Sequence, residues 1–187
     1  MIDRCAPGRD VAMNESRAAH TLRWLDATEA EGRRDELVAL TMRSKASWGY
    51  HDDFMARFGA TSVTRNLVDA GRDCVVAFDG HRAVGFAVLD DEKERAWLED
   101  LWVEPGYFGR GVGRALVGAC VKRSREWGRR ALEFESDPHA EGFCTRLGAV
   151  RFGERASAVA PDRNLPLMRL DLDRYVSVVP IPYSGGW

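Results

Sequence analysis

Residues 97–127 read WLEDLWVEPGYFGRGVGRALVGACVKRSREW, and the rest of the chain can be placed around them. Trp97 to Val103 favours a strand, being rich in residues that suit a pleated, part-buried surface. Glu104-Pro105-Gly106 ends it, because proline fixes its own φ and glycine admits positive φ. Gly109, Gly111 and Gly113 then alternate into a helical pattern whose apolar stripe is Val112, Ala115, Leu116, Ala119 and Cys120. Strand, glycine loop and helix N-terminus in this order leave backbone N–H groups unpaired at the positive end of a helix dipole. That is a site for an anion, and Arg110 and Arg114 add full positive charge beside it. A phosphate-bearing ligand is expected.

The spacing excludes two common phosphate binders. A nucleotide P-loop needs a lysine and a hydroxyl after its last glycine, but Gly111 is followed by Val112 and Gly113. A dinucleotide fingerprint begun at Gly109 meets Arg114 at its last position, and one begun at Gly111 meets Leu116. LWVEPGYFGRGVGRAL instead resembles the acetyl-CoA loop of the GNAT acetyltransferase superfamily, [QR]-x-x-G-x-[GA] after a strand ending in V-x-P. Gly111 and Gly113 take its small-residue positions, and Phe108 stands where Gln or Arg is usual. A second signature of that superfamily, N-x-x-A-x-x-F-Y-x-x-x-G-F, is similar to DPHAEGFCTRLGA at 137–149. Ala140, Phe143 and Gly148 match it, while Asp137, Cys144 and Ala149 replace Asn, Tyr and Phe.

Length and composition fit one soluble domain. The 187 residues are 45% apolar and 30% charged, with 27 basic against 29 acidic side chains and a formal net charge of −2. A nucleic-acid binder would show a basic excess, so no nucleic-acid partner is expected. No apolar run approaches the roughly 20 residues of a membrane span. The N-terminus lacks a signal-like apolar segment, and Cys5, Cys74, Cys120 and Cys144 are scattered without a CxxC. Reduced thiols, a cytoplasmic location, no metal and no membrane contact are the expectations.

In chain order, residues 1–20 form a loose arm, 21–172 the domain and 173–187 a tail without predictable structure. TLRWLD from Thr21 is a short strand with Leu22, Trp24 and Asp26 on one face. Thr28 caps a helix from Glu29 to about Ser47, its inward face carrying Leu37, Leu40, Val38 and Met42. Gly49 interrupts before a second helix at 51–58. CVVAF and AVGFAVL flank Asp79-Gly80 as a hairpin, and the Trp97–Val103 strand follows. After the glycine-loop helix, 131–135 is a strand, Asp137 caps a helix to about Leu147, and 149–154 with 165–172 form the last two strands. The resemblance implies an α/β acyltransferase fold: a mostly antiparallel sheet of six or seven strands, helices on both faces, and parallel pairing across the glycine-loop helix.

It also implies a set of site residues. Backbone groups of Leu101, Trp102 and Val103 would meet the thioester and pantetheine. Phe108, Gly109, Arg110, Gly111, Val112, Gly113 and Arg114 would hold the pyrophosphate, and Asp137 and Phe143 would complete the acetyl-CoA site. Valine at Gly111 and Gly113 is expected to abolish binding by filling the space of the pyrophosphate. A K-x-x-W-G-Y run, here Lys45 to Tyr50, stands in many bacterial relatives where the acceptor pocket is built. Trp48 reads equally as pocket wall or core anchor, Tyr50 has a hydroxyl for a polar role, and His51 is a surface residue or a catalytic one.

Acetyl transfer to a primary amine first needs removal of a proton, at a cost of roughly 4–5 kcal/mol at neutral pH. Period two places Glu99 with Leu101 and Val103, and Asp100 with Leu98 and Trp102, on opposite faces of the strand. Glu99 is favoured as the base, with Asp100 as a pocket residue and Glu133 and Glu135 as weaker candidates. The alternative for each is a solvated or paired carboxylate. Cys144, where relatives carry an acidic Tyr, either assists the leaving thiolate or only packs. The expected function is an acetyl-CoA-dependent N-acetyltransferase acting by direct attack of a small-molecule amine. A protein or peptide N-acetyltransferase and a non-catalytic acyl-CoA sensor are the rivals. Members of the family often form homodimers, although no interface is legible here.

Overall fold

The computed structural model of the chain describes residues 20–61 and 72–176. The arm before residue 20, Cys5, and the tail from 177 lie outside them. Strand β1 (Thr21–Leu25) leads to helices α1 (Ala27–Gly32), α2 (Arg34–Ala46) and α3 (Asp52–Thr61). Strands β2 (Asp73–Asp79), β3 (Arg82–Asp91) and β4 (Ala96–Val103) follow, and a 3₁₀ turn at Pro105–Tyr107 enters α4 (Val112–Glu126). The chain then forms β5 (Ala131–Glu135), α5 (Glu141–Arg146), β6 (Val150–Ala156) and β7 (Asn164–Asp171). Among the described residues these make one seven-stranded sheet in the order β1-β2-β3-β4-β5-β7-β6. Only the β4–β5 pair is parallel, closed by the α4 crossover as expected.

Each face of the sheet is covered. α4 lays Val112, Leu116, Cys120 and Val121 on Leu22, Val75, Leu98, Leu132 and Met168 in the larger core. On the opposite face α2 packs Leu37 and Leu40 on Cys74, Val76, Phe86 and Val88. Gly85 lets α4 approach closely, since a Cβ there would stand 2.9 Å from Val112 and 3.1 Å from Leu116. Arg43 of α2 reaches over to Glu104, its Nε and Nη2 donating at 3.0 and 2.8 Å, and so ties that helix to the end of β4.

Three local expectations are corrected. The single helix expected from Glu29 to Ser47 is two, broken at Gly32–Arg33, and Asp26 rather than Thr28 is its cap. Asp26 wins because a reciprocal capping box with Glu29 satisfies two backbone donors at once. Asp137 does not cap α5, whose N-cap is Ala140 without a side-chain bond. Period two also fails in β4: Val88 pairs with Asp100 but Leu89 pairs with Leu98, so Glu99 is the extra residue of a β-bulge. Leu98 therefore faces the α4 core together with Leu101 and Val103, and Asp100 keeps only Trp102 of its expected companions, its carboxylate accepting from Trp102 Nε1 at 2.8 Å.

Candidate active site

The loop between β4 and α4 is built by its backbone. Gly109 and Gly111 have φ of 74° and 89°, and Gly111 is the N-cap of α4 in a left-handed conformation that side chains resist. Having no side chain, Gly111 cannot cap the helix, and no acidic residue lies in the first turn. The free amide donors of that turn therefore remain available to an external anion. Arg110 and Arg114 pair with no carboxylate among the described residues, although Arg110 lies over the Tyr107 ring at 5.2 Å. Gly113 also meets a packing constraint. A Cβ there would come within 3.1 Å of Phe143 and 3.6 Å of Val103, so it is the packing of α4 on α5 and β4 that requires a glycine. Phe108 is 45% exposed.

Beside this loop the sheet opens. β3 pairs with β4 along its length, but β5 meets β4 only at Ala96–Leu132 and Trp97–Glu133. From Leu98 to Val103 one edge of β4 thus has no strand partner among the described residues, and Glu99, Asp100, Leu101, Trp102 and Val103 lie along the opening. At the point of divergence is a cavity of about 230 Å³, lined by Glu92, Arg95, Trp97, Leu98, Glu99, Glu135 and Arg155. Glu99 there is half-buried; burial pushes its carboxyl pKa up against the pull of Arg72, which donates to it at 3.1 Å. Asp90 accepts from the same Arg72 at 3.2 Å.

At the other end of the opening sits a closed cluster of charge and rings. Asp137, two residues past β5, accepts from the Lys45 ammonium, from Tyr50 at 2.9 Å and from Arg163 at 2.7 Å. The His139 amide donates to it at 2.9 Å. These tertiary partners are what draw the carboxylate away from the α5 cap. Lys45 Nζ lies 4.9–5.8 Å from the ring centroids of Trp48, Tyr50, Phe54, Phe58 and Trp102, a cation enclosed by aromatic faces. Burial pushes the Lys45 pKa down against the attraction of Asp137. Burial also opposes ionisation of Asp137, but Lys45 and Arg163 overcome it and hold the carboxyl below its usual range. Tyr50 is pushed up, by burial first and then by the Asp137 charge, and keeps its proton.

A family model for acetyltransferases of the GNAT family matches residues 34–149, more than half of the chain. The chain belongs to the GNAT acetyltransferase family. Mycothiol acetyltransferase of Kocuria rhizophila is 38% identical over 86 residues, which are 45% of this chain and 27% of that protein. The chain thus matches only about a quarter of that relative's length. An aminoglycoside 6'-N-acetyltransferase solved with coenzyme A superposes with a TM-score of 0.62 at 19% identity, covering 86% of this chain and 98% of the other. A nourseothricin acetyltransferase superposes with a TM-score of 0.52 at 26% identity, covering 56% of this chain and 68% of the other.

Within this GNAT domain the remaining expected residues divide. Tyr50, Trp48 and Asp137 come together, Trp48 stacking on His139 at 6.0 Å and tilting against Trp102 at 6.1 Å. Glu99 shares none of their partners. Cys144 is buried in the α4 core with its thiol 3.7 Å from Ser136 Oγ, and burial pushes its pKa up. Glu133 is buried between Arg95 and Arg169, which donate at 2.6 and 2.5 Å, and Glu135 accepts from Arg155 at 2.5 Å. Sequence reasoning missed Lys45 and Arg163 as site residues. The K-x-x-W-G-Y spacing contained a signal for Lys45, one helical turn before Trp48. Arg163 lies in an irregular loop with no periodicity to single it out.

Proposed function

We propose that this GNAT protein transfers the acetyl group of acetyl-CoA to a primary amine of a small molecule by direct attack on the thioester. The observation that carries this reading is the uncapped, glycine-built N-terminus of α4 opening directly onto the parted strands β4 and β5. Loop amides with Arg110 and Arg114 suit a pyrophosphate, and the unpartnered edge at Leu101–Val103 offers backbone groups to the pantetheine and the thioester oxygen. The names of the related proteins, which specify coenzyme A and small-molecule acceptors, agree with that class.

Glu99 is the proposed base. It lies on the β-bulge where the strands diverge, against the cavity, and a carboxyl of raised pKa accepts the proton of an ammonium more readily than a solvated one. The amine nitrogen then forms the bond to the carbonyl carbon as the C–S bond breaks. The proton that the nitrogen sheds on becoming an amide passes to the departing CoA thiolate, which needs little protonation to leave. Tyr50, its proton held by Asp137, is assigned to the acceptor wall, and Cys144 to packing in the α4 core.

Calorimetric titration with acetyl-CoA, CoA and NAD tests the proposal. Micromolar binding of the CoA species without NAD is expected, followed by thiol release when amines are added. Absence of acetyl-CoA binding overturns it.

A further inference from the structure

The cluster around Asp137 holds two cations and one anion, and this imbalance bears on the acceptor. The inference rests on the reading of the chain as an amine acetyltransferase. Lys45 and Asp137 side chains are each 6% exposed and Arg163 is 19% exposed, so their charges are poorly screened. Among the described residues, Asp137 is the one carboxylate that acts on Lys45, while Arg163 acts against it. The hydroxyl of Tyr50 is neutral, donating to Asp137 and accepting from Arg163 at 2.5 Å. Among the described residues, one formal positive charge is thus in excess in a ring-lined environment. Burial is the first cause of the depressed ammonium of Lys45, and the Arg163 charge adds to it.

Arg163 is the group with capacity to spare. It donates through Nη2 alone, to Tyr50 and Asp137, and its Nε and Nη1 have no acceptor among the described residues. The Tyr50 and Phe54 rings, 5.0 and 5.5 Å from its guanidinium carbon, hold the plane in place. A fixed guanidinium with free nitrogens suits a planar or tetrahedral oxyanion. Trp102, on the unpartnered stretch of β4, is part of the same ring cage, so the cluster borders the opening where the thioester is placed.

We propose that Arg163 binds an anionic group of the acceptor, so that the substrate is an amine that also carries a carboxylate or phosphate. A polyamine would bring further positive charge to a cluster already in excess. The test is thiol release by the full chain with β-alanine, phosphoethanolamine, propylamine and spermidine. The acidic amines are expected to show a KM about tenfold or more below that of propylamine, and the better of the two identifies the anion. Arg163→Gln is expected to erase that preference by raising KM for the acidic amines alone, and Arg163→Lys to restore part of it. Acetyl-CoA affinity measured by calorimetry stays unchanged in both variants. Fluorescence of Trp48 and Trp102 reports binding of the four probes independently of turnover. Preference for spermidine or propylamine, equal loss for all amines in Arg163→Gln, or no fluorescence response to any acidic amine overturns the inference while the acetyl-CoA reading stands. Failure to bind acetyl-CoA overturns that reading and the inference with it.

Discussion

Two sites border the opening beside β4, a loop end and a cluster end, and they are made in opposite ways. At the glycine loop the groups proposed to bind acetyl-CoA are chiefly backbone amides of the α4 N-terminus, with Arg110 and Arg114 beside them. At the Asp137 cluster everything is side chain: one carboxylate, two cations and five rings, drawn from α2, α3, β4 and three loops. The first end holds its conformation through φ and helix geometry and leaves its donors free. The second has most of its donors and acceptors already satisfied internally. Loss of function at the loop should therefore cost little stability, and disruption of the cluster should cost much.

The largest effect is expected from Asp137→Ala. It leaves Lys45 buried among rings without its anion, and removal of one partner of a buried pair costs ~3–5 kcal/mol. Denaturant unfolding measures it directly. The double variant Lys45→Met, Asp137→Leu should lie closer to the parent than Asp137→Ala does, because both charges go together. A small effect of Asp137→Ala would show that the cluster is open to water and that the contrast between the two ends is false.

Gly111→Val probes the other end. Forcing a β-branched residue to a φ of 89° costs on the order of 1–2 kcal/mol, less than the Asp137 variant. Acetyl-CoA binding should nevertheless fall by about tenfold or more in calorimetry, equivalent to ~1.4 kcal/mol. Gly113→Ala is the informative companion. Its Cβ meets the edge of the Phe143 ring at 3.1 Å, so stability should drop before affinity does. If affinity alone falls, the glycine serves the ligand and not the packing of α4.

A smaller effect is expected from pH. The folded Asp137 carboxyl has its pKa held below the ordinary value, although burial opposes this. Its contribution to stability is therefore complete above the unfolded pKa of about 3.9 and is lost as pH falls through the lower folded value. The stability difference between the parent and Asp137→Asn should hold steady from pH 7 to about 4 and shrink below that. A difference that grows on acidification would mean that burial, not the two cations, controls this carboxyl.

The same contrast explains what the sequence allowed to be read. The β4–loop–α4 unit is encoded locally: alternation, Pro105, three glycines and an apolar stripe lie within 31 consecutive residues, 97–127. The Asp79-Gly80 hairpin before it was local as well, and the parallel β4–β5 pair was what the resemblance implied. The cluster is not local. Tyr50 and Asp137 are separated by 87 positions and Tyr50 and Arg163 by 113, so no window contains their meeting. Asp137 looked like a helix cap because local chemistry offered that role, and the charges of Lys45 and Arg163 outweighed it. The bulge at Glu99 is similar: one extra residue, invisible to period two, moved Leu98 to the other face.

The smallest effect concerns Phe108, the departure from the family pattern at the loop itself. Its ring is 45% exposed and is absent from the packed cores, so Phe108→Arg removes little burial. The amides proposed to bind phosphate are untouched, because they belong to the backbone of the α4 N-terminus. What the arginine adds is one exposed charge near two that are already there, Arg110 and Arg114. An exposed ion pair contributes ~0.2–1 kcal/mol, so acetyl-CoA affinity should rise less than about sixfold at low salt and the gain should fade as ionic strength rises. A tenfold or larger gain that survives high salt would mean that the side chain at 108 is a principal phosphate ligand. The loop would then resemble the cluster after all, a site made by side chains, and the division between the two ends would fail at the place where it is drawn most sharply.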